Sequence, residues 1–299
     1  MMGTTIDVVI DDKEATQKQK IAYQLLEFYN HLFSANDSAS SLSQINQSAG
    51  IESVEVHPEL FELIKVGKRE SLVRPSNLNI AIGPITQAWH IGFSDAKLPN
   101  FKEIQNLLSL CHPENIILDH KYCTVFLKQK GMKIDLGALA KGYIADKILN
   151  KINAHSALIN LGGNVLTSGP NSNRDSKYWN IGIQSPIKKR GTHVGVIPIK
   201  DQSIVTSGVY ERTLELDGKL YHHIFSTNTG YPIETEMASL TILADDSLTC
   251  EIWTTRLFGL PIAQVLHIID VQPEIEGIII TKSGQIFCSE RLKQRLILL

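Results

Sequence analysis

The apolar positions of the chain follow two different spacings, which together predict a mixture of strands and helices. Apolar and polar residues alternate over 4–10, as in a half-buried strand. From about 14 to 33 the apolar residues recur every three or four positions, which predicts an amphipathic helix. The same helical spacing predicts further helices at 58–69, 101–111, 138–152, 247–259 and 261–269.

Short runs of apolar residues between turn-forming residues predict the strands. The predicted strands are 115–118, 122–128, 132–135, two strands of 157–169 joined by a double glycine, the segments WNIGIQSP, THVGVIPIKD and SIVTSG, 239–244, and a hairpin around Ser283-Gly284. We expect a loop at 83–93. The Ser- and Asn-rich stretch after the first helix is compatible with low complexity or with an ordered loop. Because strands and helices do not alternate regularly, an α+β fold is favoured over a doubly wound sheet.

The composition excludes several classes of function. The 299 residues are 43% hydrophobic and 20% charged, with a net charge of −2. Proteins that follow a nucleic acid backbone usually carry a strong basic excess, so nucleic acid is not expected as a partner. The four cysteines form no C-x-x-C pair, which disfavours a zinc site or a disulfide framework. We find no apolar run long enough for a membrane span and no signal-peptide pattern, and we therefore expect a cytoplasmic protein.

Several familiar catalytic motifs do not occur in the sequence. There is no G-x-G-x-x-G after a strand, no complete Walker A loop, no H-E-x-x-H and no G-x-S-x-G. A Rossmann dinucleotide site, a P-loop, a zinc protease site and a serine hydrolase elbow are therefore not supported.

The remaining chemistry lies in loops of small residues that carry isolated polar groups. In DLGALAKGYIAD (135–146), small side chains let the backbone approach a ligand closely, and Lys141 beside glycine suits a phosphate. Glu251 and Thr255 are one helical turn apart and offer the hard oxygen ligands that suit Mg²⁺. Each feature alone is common on protein surfaces, but together they predict a magnesium-bound nucleotide pyrophosphate.

The order of these features resembles the FAD:protein FMN transferases of the ApbE family, from Met2 to about Leu260. The most specific match is D-L-G-x-x-A-K-G-Y-x-x-D, which 135–146 fits completely. The other matching motifs follow in the family's order: Met2-Gly3-Thr4, Ser40 with Ser43 and Asn46, Gly83-Pro84 with Trp89, Gly92 and Phe93, 160–163, 206–212, 223–232, and 251–255.

The resemblance implies a T-fold-like α+β architecture with 1–299 as a single catalytic unit. It also implies a Mg²⁺-dependent enzyme that uses FAD as its substrate. Such enzymes attach FMN by a phosphoester bond to a threonine or serine of a partner flavoprotein with an FMN-binding domain, and AMP leaves.

The resemblance also implies roles for individual residues. The metal would be held by Glu251, Thr254, Thr255 and the carbonyl of Ala138. His223 is the candidate for activating the acceptor hydroxyl, because histidine titrates in the useful range. The expected FAD contacts are Met2, Asn36, Asn79, Asp135, Lys141 and Phe225.

Four places depart from the family's pattern and leave two alternatives open. Asn36 stands where tyrosine is usual and cannot stack on an aromatic ring, which favours a FAD pyrophosphatase that releases FMN and AMP. Asn79 and Glu251 each stand where aspartate is usual. Ser226 and Thr227 replace an Asp-Pro pair. Ser226 and Glu251 together favour a non-catalytic flavin-binding protein.

Overall fold

A computed structural model describes residues 3–299, so Met2, an expected FAD contact, lies outside the described residues. The backbone forms two compact units. The first unit comprises residues 3–28, Lys141–Gly208 and Thr235–Leu299, and the second comprises Tyr29–Ala140 and Val209–Glu234. That 1–299 acts as one catalytic unit stays a prediction.

The helices and strands are intermixed along the chain, which confirms the α+β class. The α-helices are α1 (Ala15–Phe33), α2 (Ser41–Gln47), α3 (Pro58–Leu72), α4 (Gly83–Trp89), α5 (Phe101–Leu108), α6 (Ala140–Ile152), α7 (Ser247–Leu257) and α8 (Ile262–Val271). The strands are β1 (Ile6–Asp11), β2 (Val54–Glu55), β3 (Ile116–Asp119), β4 (Thr124–Leu127), β5 (Ser156–Leu161), β6 (Asn164–Ser168), β7 (Trp179–Gln184), β8 (His193–Ile199), β9 (Ser203–Gly208), β10 (Thr213–Leu216), β11 (Lys219–His222), β12 (Met237–Ala244), β13 (Glu276–Thr281), β14 (Ile286–Cys288) and β15 (Ile297–Leu298). Among residues 3–299, none of these helices has both the length and the apolar character to cross a membrane.

The first unit is built on a seven-stranded antiparallel sheet in the order β1-β5-β6-β9-β12-β13-β14. Every residue of β12 is buried, which requires cover on both faces of the sheet. The small sheet β15-β8-β7 contributes Ile197 and Ile199 to a core cluster with Ile204 and Leu243 of the large sheet. Helix α7 packs against β9 and β12. This helix carries three of the four predicted metal ligands, so the fully buried β12 and its neighbour β9 support them.

The second unit contains the three-stranded sheet β2-β4-β3, the hairpin β10-β11 and helices α2 to α5. Trp89 is fully buried, and its Nε1 donates to the carbonyl of Gly230 at 2.9 Å. A Cβ added at Gly230 would come within 2.7 Å of Ile104, so only glycine fits there. Trp89 therefore anchors the 225–232 loop, which contains a family motif, onto α4.

Two predicted elements are wrong for identifiable physical reasons. Residues 83–89 form α4 rather than a loop, because Pro84 suits the first turn of a helix. Residues 132–135 form no strand. The backbone N–H and carbonyl of Ile134 bond instead to the side-chain amide of Asn46, at 2.7 and 3.0 Å.

The other expectations for local structure were largely confirmed. The six predicted helices are α1, α3, α5, α6, α7 and α8, and the C-terminal hairpin turns at Gly284 with φ of 85°. The Ser- and Asn-rich stretch is ordered. It contains α2, and the Ser40 side chain caps this helix by accepting from the N–H of Ser43 at 3.0 Å.

The beginnings of α6 and α7 are packed against each other within the first unit. A Cβ added at Gly142 would lie 2.6 Å from the backbone carbonyl oxygen of Ser247. Asp146 of α6 accepts from the N–H groups of Ser247 and Leu248 at 2.8 and 2.9 Å. These are first-turn amides of α7, which have no partner inside their own helix. Burial raises the pKa of Asp146 to about 7, although both N–H groups oppose the shift.

We expect Gly142→Ala to lower the free energy of unfolding by about 1 kcal/mol. Overpacking typically costs about 1–3 kcal/mol and here outweighs the gain of about 1 kcal/mol in helix propensity. Urea denaturation followed by circular dichroism measures the change. Lys151→Ala, at an exposed position of the same helix, is the control and should stay within about 0.5 kcal/mol of the wild type. An unchanged midpoint for Gly142→Ala would contradict the close packing.

We expect Asp146 to make stability fall as the pH rises from about 4 to about 7. Its folded pKa is raised above the ordinary 3.8, so over this interval the folded state holds a proton that the unfolded chain has lost. Asp146→Asn cannot ionise there. The stability of the wild type relative to this variant should therefore decline up to about pH 7 and then level off. A difference that is constant across urea titrations from about pH 4.5 to 8 would show that the buried carboxyl does not titrate.

Candidate functional site

The predicted phosphate-binding lysine and the predicted metal carboxylate lie together in the first unit. Lys141 is the second residue of α6, and its Nζ lies 3.3 Å from Oε1 of Glu251 on α7. The Glu251 side chain is only 4% exposed, whereas that of Lys141 is 31% exposed. A carboxylate so deeply buried is tolerated only where charge and hydrogen bonds compensate it.

Two further groups satisfy the Glu251 carboxylate. Asn164, at the start of β6, donates from Nδ2 to Oε1 of Glu251 at 2.6 Å and accepts from Nζ of Lys141 at 2.9 Å. The backbone N–H of Gly142 donates to the other oxygen, Oε2, at 2.6 Å. That N–H belongs to the first turn of α6, where the positive end of the helix dipole favours a carboxylate.

The two threonines of the predicted metal site differ in their surroundings. Thr254 is buried, and its hydroxyl donates to the backbone carbonyl of Glu251 at 3.0 Å. Thr255 is partly exposed and lies one helical turn after Glu251, on the same face of α7. A carboxylate with a hydroxyl beside it fits Mg²⁺, which keeps several waters and needs few protein oxygens. The described part of the chain contains no cluster of three or more His, Cys, Asp or Glu that could hold a metal.

In the second unit, Asp135 and Ala138 belong to the turn that leads into α6. Asp135 accepts from the hydroxyl of Thr86 at 2.7 Å and from the N–H of Gly137 at 2.8 Å. Its own N–H donates to the carbonyl of Ile80 at 2.9 Å. The turn is therefore held by Asp135 itself, and the backbone of the partly exposed Ala138 is fixed within it.

Asn79 and Phe225 have structural partners in the second unit. The Asn79 side chain accepts from the N–H of Ala81 and donates to the carbonyl of Cys111, both at 2.8 Å. Aspartate, the usual family residue, has no N–H for the second bond. Phe225 is 7% exposed and packs against Trp89, with ring centroids 5.7 Å apart. Both side chains therefore support the fold of the second unit.

His223 and Asn36 are more accessible. His223 is partly exposed, and its Nδ1 lies 3.3 Å from the carbonyl oxygen of Arg212. Asn36 is exposed and donates its N–H to the Ser34 hydroxyl at 3.3 Å. Both side chains lie at the surface of the second unit.

The sequence assigns no role to three polar residues that fix Asp135, the start of α7 and Glu251. They are Thr86, Asp146 and Asn164. Thr86 lies inside the segment expected to be a loop. Asp146 ends the longest motif match, and Asn164 directly follows the double glycine. The signal for the last two is their position, because Asp146 lies inside a matched motif and Asn164 directly after one, but their partners are far away in sequence. Glu251, for example, lies 87 residues after Asn164.

Comparisons with known proteins agree with the motifs. The model of the ApbE family matches residues 2–279. Over 298 residues the chain is 39% identical to the FAD:protein FMN transferase of Klebsiella pneumoniae (strain 342), covering 99% of this chain and 92% of that protein. It is 31% identical over 287 residues to the protein of the same name from Treponema pallidum, with coverage of 91% and 79%. These names confirm the expectation of a transferase enzyme.

Solved structures agree with the fold. The crystal structure of the ApbE protein of Thermotoga maritima superposes with a TM-score of 0.89 at 27% identity, covering 98% of this chain and 96% of that one. The flavin transferase ApbE of Vibrio cholerae gives a TM-score of 0.83 at 24% identity, with coverage of 99% and 96%. The expected flavin transferase architecture is thereby confirmed. Since the family model spans nearly the whole chain and two named relatives exceed 30% identity, the chain belongs to the ApbE family.

Proposed function

We propose that this enzyme transfers FMN from FAD to a threonine or serine hydroxyl of an acceptor flavoprotein that has an FMN-binding domain. The hydroxyl oxygen attacks the phosphorus on the FMN side of the pyrophosphate, and the bond from that phosphorus to the bridging oxygen breaks. AMP leaves with the bonding electrons, and a base takes the hydroxyl proton. The names of the relatives support the reaction. The observation that carries it here is the buried Glu251 carboxylate beside Lys141.

We propose Mg²⁺ as the metal of this reaction, held by Glu251 and Thr255. The resemblance adds Thr254 and the carbonyl of Ala138 as ligands. A bound Mg²⁺ would neutralise charge on the pyrophosphate and on the departing AMP. Lys141 would hold a phosphate oxygen, because its ammonium is partly exposed and sits at the start of a helix.

Further residues are proposed to hold FAD. Asp135 and Asn36 would contact it directly, and the resemblance adds Met2. Asn79 and Phe225 would act by shaping the binding surface, because the Asn79 amide is engaged with backbone groups and the Phe225 ring with Trp89.

We propose that His223 accepts the proton of the acceptor hydroxyl. When Nδ1 donates to the carbonyl of Arg212, the lone pair of the neutral ring lies on Nε2. A neutral imidazole near physiological pH is suited to take a proton from a hydroxyl as the new bond forms.

A second candidate function is FAD hydrolysis to FMN and AMP. The exposed Asn36, at the position where tyrosine is usual, favours it because asparagine offers no ring to hold a flavin or adenine by stacking.

Chromatography of the products formed from FAD and Mg²⁺, with and without an acceptor flavoprotein, tests the proposal. We expect AMP only with the acceptor, together with flavin bound covalently to it. AMP and free FMN without the acceptor would establish hydrolysis instead, and retention of intact FAD would establish a binding protein.

Glu251→Ala should lower Mg²⁺-dependent turnover roughly 100-fold or more. The control is Glu276→Ala, which removes a carboxylate paired with Arg295 in the same unit and should leave turnover unchanged. Turnover by Glu251→Ala at the wild-type rate would refute the metal assignment.

We expect His223→Ala to slow transfer about 100-fold or more, because general base catalysis typically contributes about 10²–10⁴-fold. FAD affinity, measured by fluorescence quenching, should change little, since the role concerns the acceptor. His112→Ala, which alters an exposed histidine of the same unit, should behave like the wild type. Equal transfer rates for His223→Ala and His112→Ala would remove His223 from the mechanism.

A further inference from the structure

Both the oxygen and the nitrogen of the Asn164 side-chain amide form hydrogen bonds. Asn164 is 1% exposed, accepts from the ammonium of Lys141 and donates to the carboxylate of Glu251. An amide can accept from a cation and donate to an anion at the same time. Aspartate would place a second carboxylate against Glu251, and an apolar residue would leave both neighbours without this partner.

The backbone around Asn164 fixes where this amide points. Gly162 and Gly163 have φ of 63° and 96° and turn β5 into β6, so that Asn164 pairs with Leu161. The turn is closed by the N–H of Gly163, which donates to the side chain of Asn160 at 2.8 Å. A Cβ added at Gly162 would lie 2.0 Å from the Thr4 hydroxyl, so the turn also requires glycine there. The amide is thus presented by the first residue of an interior strand, which pairs with β5 and β9.

We propose that Asn164 is a positioning residue that fixes the Glu251 carboxylate in the orientation needed to bind a divalent cation. This inference rests on the proposed role of Glu251 as a metal ligand. Asn164 and Gly142 donate to different oxygens of the carboxylate, each at 2.6 Å, and so prevent its rotation. Partners that orient a ligand in this way typically contribute about 10–100-fold to metal affinity.

Lys141 has the opposite effect on the same carboxylate. Its ammonium lies 3.3 Å from Oε1 and balances the charge of Glu251 when no divalent cation is bound. A divalent cation at Glu251 would be repelled by this ammonium until a substrate phosphate attracted the ammonium away from Glu251. In the absence of FAD, Asn164 therefore raises the affinity of the site for a divalent cation, and Lys141 lowers it.

Titration of the flavin-free protein with Mn²⁺, monitored by electron paramagnetic resonance, tests this assignment. We expect Asn164→Leu to raise the Mn²⁺ dissociation constant about tenfold or more. Asn164→Ala, which leaves room for a water that can donate in place of the amide, should shift it less in the same direction. Lys141→Met should lower the dissociation constant. Thr167→Val, which alters another buried polar residue of β6, is the control and should match the wild type.

Steady-state kinetics separate positioning from general structural damage. For both Asn164 variants we expect the KM for Mg²⁺ to rise by the factor seen for Mn²⁺, while kcat at saturating Mg²⁺ stays within about threefold of the wild type. A purely structural role would lower kcat through loss of folded protein and would not move the KM for Mg²⁺.

The Mn²⁺ titration, repeated with FAD present, also separates this inference from the proposed function. Loss of Mn²⁺ binding in Glu251→Ala with unchanged binding in both Asn164 variants would overturn the role of Asn164 alone. Undiminished binding in Glu251→Ala, or no binding by the wild type with or without FAD, would overturn the proposed metal site and this inference together. Weaker binding in Lys141→Met would refute the opposing effect of the ammonium.

Discussion

The site depends on reciprocal hydrogen bonds between helices α6 and α7. A carboxylate of each helix accepts from first-turn N–H groups of the other. Glu251 of α7 accepts from a first-turn N–H of α6, and Asp146 of α6 accepts from two first-turn N–H groups of α7. Helix termini leave such groups without partners inside the helix, so each helix supplies what the other lacks. These hydrogen bonds require the helices to lie very close together, and Gly142 permits this. These hydrogen bonds offset the free-energy cost of burying the Glu251 carboxylate.

Much of the fold could be predicted from the sequence because local periodicity determines it. The six helices with regular apolar spacing were found, as was the hairpin at Gly284. The errors occurred where a side chain replaced a backbone partner. The apolar pattern of 132–135 predicts a strand, but the backbone of Ile134 bonds to the side chain of Asn46, 88 residues away in sequence, and not to a neighbouring strand. Helix α4 was missed because it is one short run around Pro84, too brief for a periodic pattern.

The site could be predicted only in part, because motifs name residues but not their partners. The motif at 135–146 identified Asp135 and Lys141, and the structure places Lys141 beside Glu251. Nothing in the sequence shows that Asn164 lies between Lys141 and Glu251, because that contact requires three segments of the chain to meet. Asn79 and Phe225 illustrate the reverse case. Both occupy family positions, yet their side chains are engaged with Ala81, Cys111 and Trp89.

The discontinuity of the first unit has a consequence for synthesis on the ribosome. Strand β1 is made first, but its partner β5 begins 150 residues after it does, and the fully buried β12 follows later still. Translation adds about 5–20 residues each second, so β1 remains without its partner for many seconds. Long-range pairing of this kind is also slow in itself. The emerging chain therefore exposes an unpaired strand while about 150 further residues are made, and protection of that strand by a chaperone or by the ribosome surface would limit aggregation.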